Sequence, residues 1–144
     1  MENEDTIRLL RECSAGVKMG VSTIDEMLPY IKNPKFKDVL YSCKTTHEKL
    51  YSEISEYLHK YDVDKKDPPI IASSMAKMKA KIEVAMHNSD KTIASIITDG
   101  CNMGVKSLTK YLNEYKTANE NIKSLVKRLI NSEEKLIESI KDYL

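Results

Sequence analysis

The sequence predicts an all-α fold: a four-helix bundle of two helical hairpins joined by a long crossover that carries an additional shorter helix. Three observations lead there. Apolar residues recur three and four apart through most of the chain, as one buried face of a helix requires. Turn-forming residues gather at a few joints, and two stretches of the chain repeat each other. The 144 residues have the length of one domain. With 41% apolar and 31% charged residues, and only four Gly and four Pro, the composition is that of a globular chain.

In the first helix, Leu10, Val17, Val21, Ile24, Leu28 and Ile31 share one face. Asp5 or Thr6 suits its start, because a short side-chain oxygen can accept from a free backbone N–H there. Pro29 falls in the last turn, where a kink is expected. Asn33 suits the N-cap of the second helix and Pro34 its first position. Val39, Leu40, Cys43, His47, Leu50, Ile54, Tyr57 and Tyr61 then keep one stripe, so the first hairpin spans about residues 5–61. The crossover, 62–89, opens on Asp, Lys and Pro with Val63 as the lone apolar residue before 70, which reads as a loop. Its helix, at about 70–87, carries Ile71, Met75, Met78, Ile82 and Met86. Asn88-Ser89-Asp90 caps the second hairpin, about 90–144. Its stripes are Ile93, Ile97, Cys101, Gly104, Leu108, Leu112 and Tyr115, then Ile122, Val126, Leu129, Leu136, Ile140 and Tyr143. Only Thr117-Ala118-Asn119 separates these two helices, and local signals alone also fit one unbroken helix.

The repeat decides that joint. Cys13-Ser14-Ala15-Gly16-Val17-Lys18 matches Cys101-Asn102-Met103-Gly104-Val105-Lys106 at an offset of 88. Thr46-His47-Glu48-Lys49-Leu50 matches Ser132-Glu133-Glu134-Lys135-Leu136 at an offset of 86. In the second register Asn119 takes the capping place of Asn33, so a break is expected there. His47 and Glu133 become pseudo-equivalent and should meet near the middle of the bundle, with Gly16 and Gly104 leaving space beside them.

Two hairpins in series with a long crossover resemble the ferritin-like superfamily, and more narrowly its small uncharacterised bacterial four-helix-bundle proteins. The likeness covers Thr6 to Leu144 and rests on the repeat, the crossover helix and Glu12-Cys13-x-x-Gly16-Val17. The segment from Asn33 to Tyr61, with Asn33-Pro34 and His47-Glu48-x-Leu50, also resembles the spore coat protein F family. Di-iron members of the superfamily place a Glu on each of two helices and Glu-x-x-His on the other two. The matching positions here read Lys44-x-x-His47 and Ile130-x-x-Glu133. Gly16 or Val17 falls beside His47, and Gly104 or Val105 beside Glu133, where inner carboxylates belong. Two of about six ligands remain. The resemblance therefore implies the scaffold without its di-iron centre.

Each remaining constellation has an ordinary reading beside its chemical one. His47 and Glu133 read as a buried hydrogen-bonded pair; with Glu12 they are the candidates for a residual metal or small-ligand site. Cys13, Cys43 and Cys101 lie far apart, odd in number and on apolar stripes, and read as reduced core fillers. Cys43, four residues before His47, is the only thiol with a base in reach, and no oxyanion hole accompanies it. Glu56-x-x-His59 and Glu83-x-x-x-His87 have ligand spacing but read as solvated faces. Met75, Met78 and Met86 read as packing rather than a soft-metal strip. A net charge of +1, with Asp64 and Asp67 flanking Lys65 and Lys66, excludes a basic nucleic-acid surface. No apolar run reaches membrane-span length, and the acidic start lacks the regions of a signal peptide, so a cytoplasmic place is expected, with spore association hinted by the resemblance.

The expected function is a non-enzymatic structural or interaction protein, stress- or sporulation-associated, acting as a homo-oligomer or through a protein partner, with no nucleic acid, membrane or cofactor. The alternative is a metal-binding or oxidase protein with iron, manganese or zinc at the residual central site. A thiol sensor using Cys13 or Cys101 ranks third.

Overall fold

Residues 3–63 and 89–144, which the computed structural model describes, form four α-helices: α1 (Glu4–Met27), α2 (Pro34–Lys60), α3 (Asp90–Glu114) and α4 (Glu120–Ser139). No strand occurs among the described residues. The expected crossover helix at about 70–87, its Met stripe, the Glu83–His87 spacing and the lysines at 65 and 66 lie outside them.

Caps set the helix ends. Asn33 accepts from the N–H groups of Lys35 and Phe36, with Pro34 following as first helical residue. Asn119 accepts from Asn121 N–H, so the helical run does break there. At the start of α1 the cap is Asn3, which accepts from Thr6 N–H, rather than Asp5 or Thr6. Those two side chains work at longer range. Asp5 accepts from the backbone and hydroxyl of Thr117, and the Thr6 hydroxyl accepts from Asn119 N–H. These hydrogen bonds hold the Asp5 carboxyl below its ordinary pKa. At the opposite end, Asp90 accepts from the backbone N–H groups of Lys32 and Asn33 at 2.9 and 2.8 Å. Each hairpin joint is thus fastened by the first turn of the other hairpin. Pro29 lies in a short 3₁₀ turn, Leu28–Tyr30, which replaces the expected last turn and kink of α1.

The same bonds fix the directions. The start of α1 lies at the α3–α4 joint, and the start of α3 at the α1–α2 joint. Along α2 and α4, Glu53 pairs with Arg128 while His47 meets Glu133, so these helices are antiparallel. α1 and α4 therefore run one way, α2 and α3 the other. α2 ends at one end of the bundle and α3 begins at the opposite end.

Two apolar halves fill the interior. One gathers Ile24, Met27, Phe36, Leu40, Ile93, Ile97 and Ile140, with Tyr143 stacked on Phe36 at 4.7 Å between ring centroids. The other gathers Leu9, Leu10, Cys13, Leu50, Ile54, Leu58, Ile122 and Leu125. His47, 1% exposed, lies along α2 between these halves.

Burial also corrects the register of the repeat. Phe36, Leu40, Cys43, Leu50 and Ile54 correspond to the buried Ile122, Val126, Leu129, Leu136 and Ile140, at the expected offset of 86. In α1 and α3, however, Leu9, Leu10, Cys13, Val17 and Ile24 correspond to the buried Ile93, Ala94, Ile97, Cys101 and Leu108, an offset of 84. The Cys-x-x-Gly-Val-Lys match at 88 is one helical turn out of the structural register. A slip of four residues returns nearly the same face of a helix, so periodicity alone does not reveal it.

The Asn119 cap gives a simple test. Asn119→Ala removes the acceptor for Asn121 N–H, and urea unfolding is expected to show a loss of about 1 kcal/mol. The mutant should remain helical by circular dichroism, because the Thr6 bond to the Asn119 backbone is untouched.

Candidate functional site

The site begins with the helical positions of two side chains. His47 and Glu133 occupy matching places in α2 and α4, on faces that turn inward where the antiparallel pair is in contact. The imidazole Nε2 lies 2.8 Å from Glu133 Oε1. Its Nδ1 lies 3.0 Å from the Cys43 carbonyl oxygen, one turn back, and 3.4 Å from Cys43 Sγ. A carbonyl can only accept, so Nδ1 carries a proton; a carboxylate accepts likewise, so Nε2 carries one too. These two contacts favour the imidazolium form of the ring. Burial opposes that charge, but the hydrogen bonds to Cys43 and Glu133 outweigh it, and the pKa is pushed up from 6.5 to about 10.

Cys101, from α3, completes the buried group. Burial, together with the charge of the nearby Glu133 carboxylate, pushes its thiol pKa far up. Cys13 lies away from this group, and burial raises its thiol to about 12. All three cysteines are reduced and buried. The neutral thiols at Cys13 and Cys101 are poor nucleophiles.

Above the pair, α1 and α3 stand apart over a cavity of about 310 Å³. Its walls include all four glycines of the chain, Gly16 and Gly20 from α1 and Gly100 and Gly104 from α3. A Cβ on Gly20 would sit 3.4 Å from the His47 ring, and one on Gly104 would sit 3.7 Å from the Glu133 carboxylate. Gly104 is thus where the sequence places it, whereas the neighbour of His47 is Gly20, one turn beyond the expected Gly16. Around Gly16 a Cβ would meet nothing within 4 Å. The cavity reaches the surface beside Gly16 and Met103, the latter 61% exposed. Half-buried Glu12, the third candidate, lines the cavity together with Tyr111 of α3, whose pKa is raised by burial and by the Glu12 carboxylate.

The structure therefore joins His47 to Glu133 and places Glu12 on the same cavity. Glu56 and His59 are both exposed on α2. Lys44 turns outward to an ion pair with Asp25 on α1. Among the described residues, no group of three His, Cys, Asp or Glu side chains is arranged to hold a metal ion. None of the described helices is long and apolar enough to cross a membrane. Sequence reasoning overlooked Gly20, Gly100, Tyr111 and the Cys101–Glu133 contact. The available signal was the Gly-x-x-x-Gly spacing in both α1 and α3, two short faces able to leave room between helices. Comparisons with protein-family models, curated proteins and solved structures found no match.

Proposed function

We propose that the chain is a ferritin-like bundle that works without a di-iron centre, as a non-enzymatic binding protein. The helix directions support the scaffold: two antiparallel hairpins with α1 parallel to α4 and α2 parallel to α3, the arrangement a long crossover produces. The observation that carries the functional reading is the pair of contacts at His47, with the Glu133 carboxylate at Nε2 and the Cys43 carbonyl at Nδ1. Both of its ring nitrogens donate hydrogen bonds, to Glu133 and to the Cys43 carbonyl, so the imidazole has no lone pair to offer a metal. Glu133 Oε1 is engaged by the same pair. At the positions of the missing ligands, Lys44 pairs with Asp25 and Ile130 packs beside the apolar half that contains Leu125. These residues do not fit a di-iron group, and an ion pair fills its place.

Metal analysis of untagged protein, incubated with iron(II), manganese or zinc and then desalted, tests this reading. The expected result is far less than one equivalent of any of the three. Stoichiometric metal that is lost in His47→Ala would overturn it and favour the metal-binding alternative.

A further inference from the structure

The cavity has a charge pattern that selects its occupant. Among the described residues lining it, the carboxylates are Glu12 and Glu133, the only cationic side chain is His47, and no Lys or Arg is present. His47 is already matched to Glu133 at 2.8 Å, which leaves the lining with a net negative charge on the Glu12 side. Glu12 lies beside the Tyr111 hydroxyl. Glu133 pairs with His47 through one oxygen, Oε1. A carboxylate offers about four acceptor positions, so both retain capacity toward the cavity. Gly16, Met19, Gly20, Ile97, Met103 and Leu108 belong to the rest of the wall, which is mostly apolar, with Thr23 and Ser107 adding hydroxyls. A volume of about 310 Å³ lies at the small end of ligand pockets.

We propose that this cavity binds a small organic ammonium ion with an apolar chain, its head held by the Glu12 carboxylate and its chain lying along the glycine-lined wall toward Glu133. An organic anion of the same length would face two carboxylates and no free cation. A neutral alcohol would gain the apolar contacts alone. The inference rests on the reading above, that the central layer is an ion pair and not a metal centre.

The test compares three probes of equal chain length, hexylammonium, hexan-1-ol and hexanoate, titrated into the full chain and followed by amide chemical shifts and calorimetry. Hexylammonium is expected to bind saturably and to shift Gly16, Gly20, Gly100 and Gly104. Hexan-1-ol should bind at least tenfold more weakly, and hexanoate more weakly still. Glu12→Gln should cost hexylammonium about tenfold and leave hexan-1-ol unchanged. Gly16→Leu, whose Cβ meets nothing within 4 Å, should abolish binding of both without lowering the urea midpoint. Equal affinity for all three probes, preference for hexanoate, or no binding by hexylammonium overturns the proposal. Running each titration with and without a chelator separates the two readings. Binding lost only on chelation means a metal-dependent site and overturns the ion-pair reading as well. Absence of binding in both conditions overturns the ligand alone.

Discussion

Replacing Glu133 with leucine is expected to lower the free energy of unfolding by about 3 kcal/mol, a typical cost of removing one member of a buried ion pair. The partner left behind is the reason. His47 is 1% exposed, and its Nε2 proton would face leucine instead of a carboxylate 2.8 Å away. The ring would then either hold an uncompensated charge or release a proton, and both cost stability. The reverse change, His47→Leu, should cost less. The Glu133 side chain is 15% exposed and adjoins the cavity, so water can reach the orphaned carboxylate. The double variant, His47→Leu with Glu133→Leu, is expected to recover to within about 1 kcal/mol of the wild type, since two apolar side chains then join two apolar halves. Urea titration of all four proteins measures the coupling directly. If the single changes simply add in the double variant, the pair contributes no coupling energy.

The second large effect is a dependence of stability on pH. His47 has a folded pKa of about 10 against 6.5 for the free side chain. A raised pKa means that the folded state holds its proton more tightly. The resulting stabilisation is fully present below pH 6.5 and is lost as pH rises through 10. Within that window the unfolding free energy should fall by up to about 1.4 kcal/mol per pH unit. The groups around the ring are Cys43 on its own helix, Glu133 on α4 and, through Glu133, Cys101 on α3; α1 presents Gly20, which carries no charge. Cys13 and Cys101 also have raised pKa values and act in the same direction, but only above their ordinary value of 9.0. Among the described groups with shifted pKa values, His47 is therefore the one that titrates between pH 6.5 and 9.0. His47→Gln should flatten the slope across that interval. An equally steep slope in His47→Gln would move the effect to another group.

How far the sequence foretold this arrangement depended on whether a feature was local and periodic. The stripes of α2 and α4, the Asn33 and Asn119 caps and the meeting of His47 with Glu133 all follow from 3.6-residue spacing and from the repeat at offset 86. The α1–α3 register did not, because a shift of one turn keeps the apolar face and only contacts such as Gly20 with His47 reveal it. The roles of Asp5, Thr6 and Asp90 were also hidden. Each resembles an ordinary capping residue in its own segment, yet each binds backbone more than fifty residues away. The Asn3 cap lies two residues before Asp5, outside the first apolar turn. The cavity was half visible: Gly16 and Gly104 suggested space, but its extent depends on four glycines facing each other from separate hairpins. The proton on His47 was not readable from spacing at all, because it depends on the Cys43 carbonyl as much as on Glu133.

The protonation state of His47 is the centre of this account, and nitrogen-15 imidazole spectroscopy reads it without a mutation. At about pH 8, where an unperturbed histidine is neutral, long-range proton–nitrogen correlations of a ring protonated at both Nδ1 and Nε2 are expected. A neutral ring with one bare nitrogen at that pH would contradict it, and would restore to His47 the lone pair that a metal ligand needs.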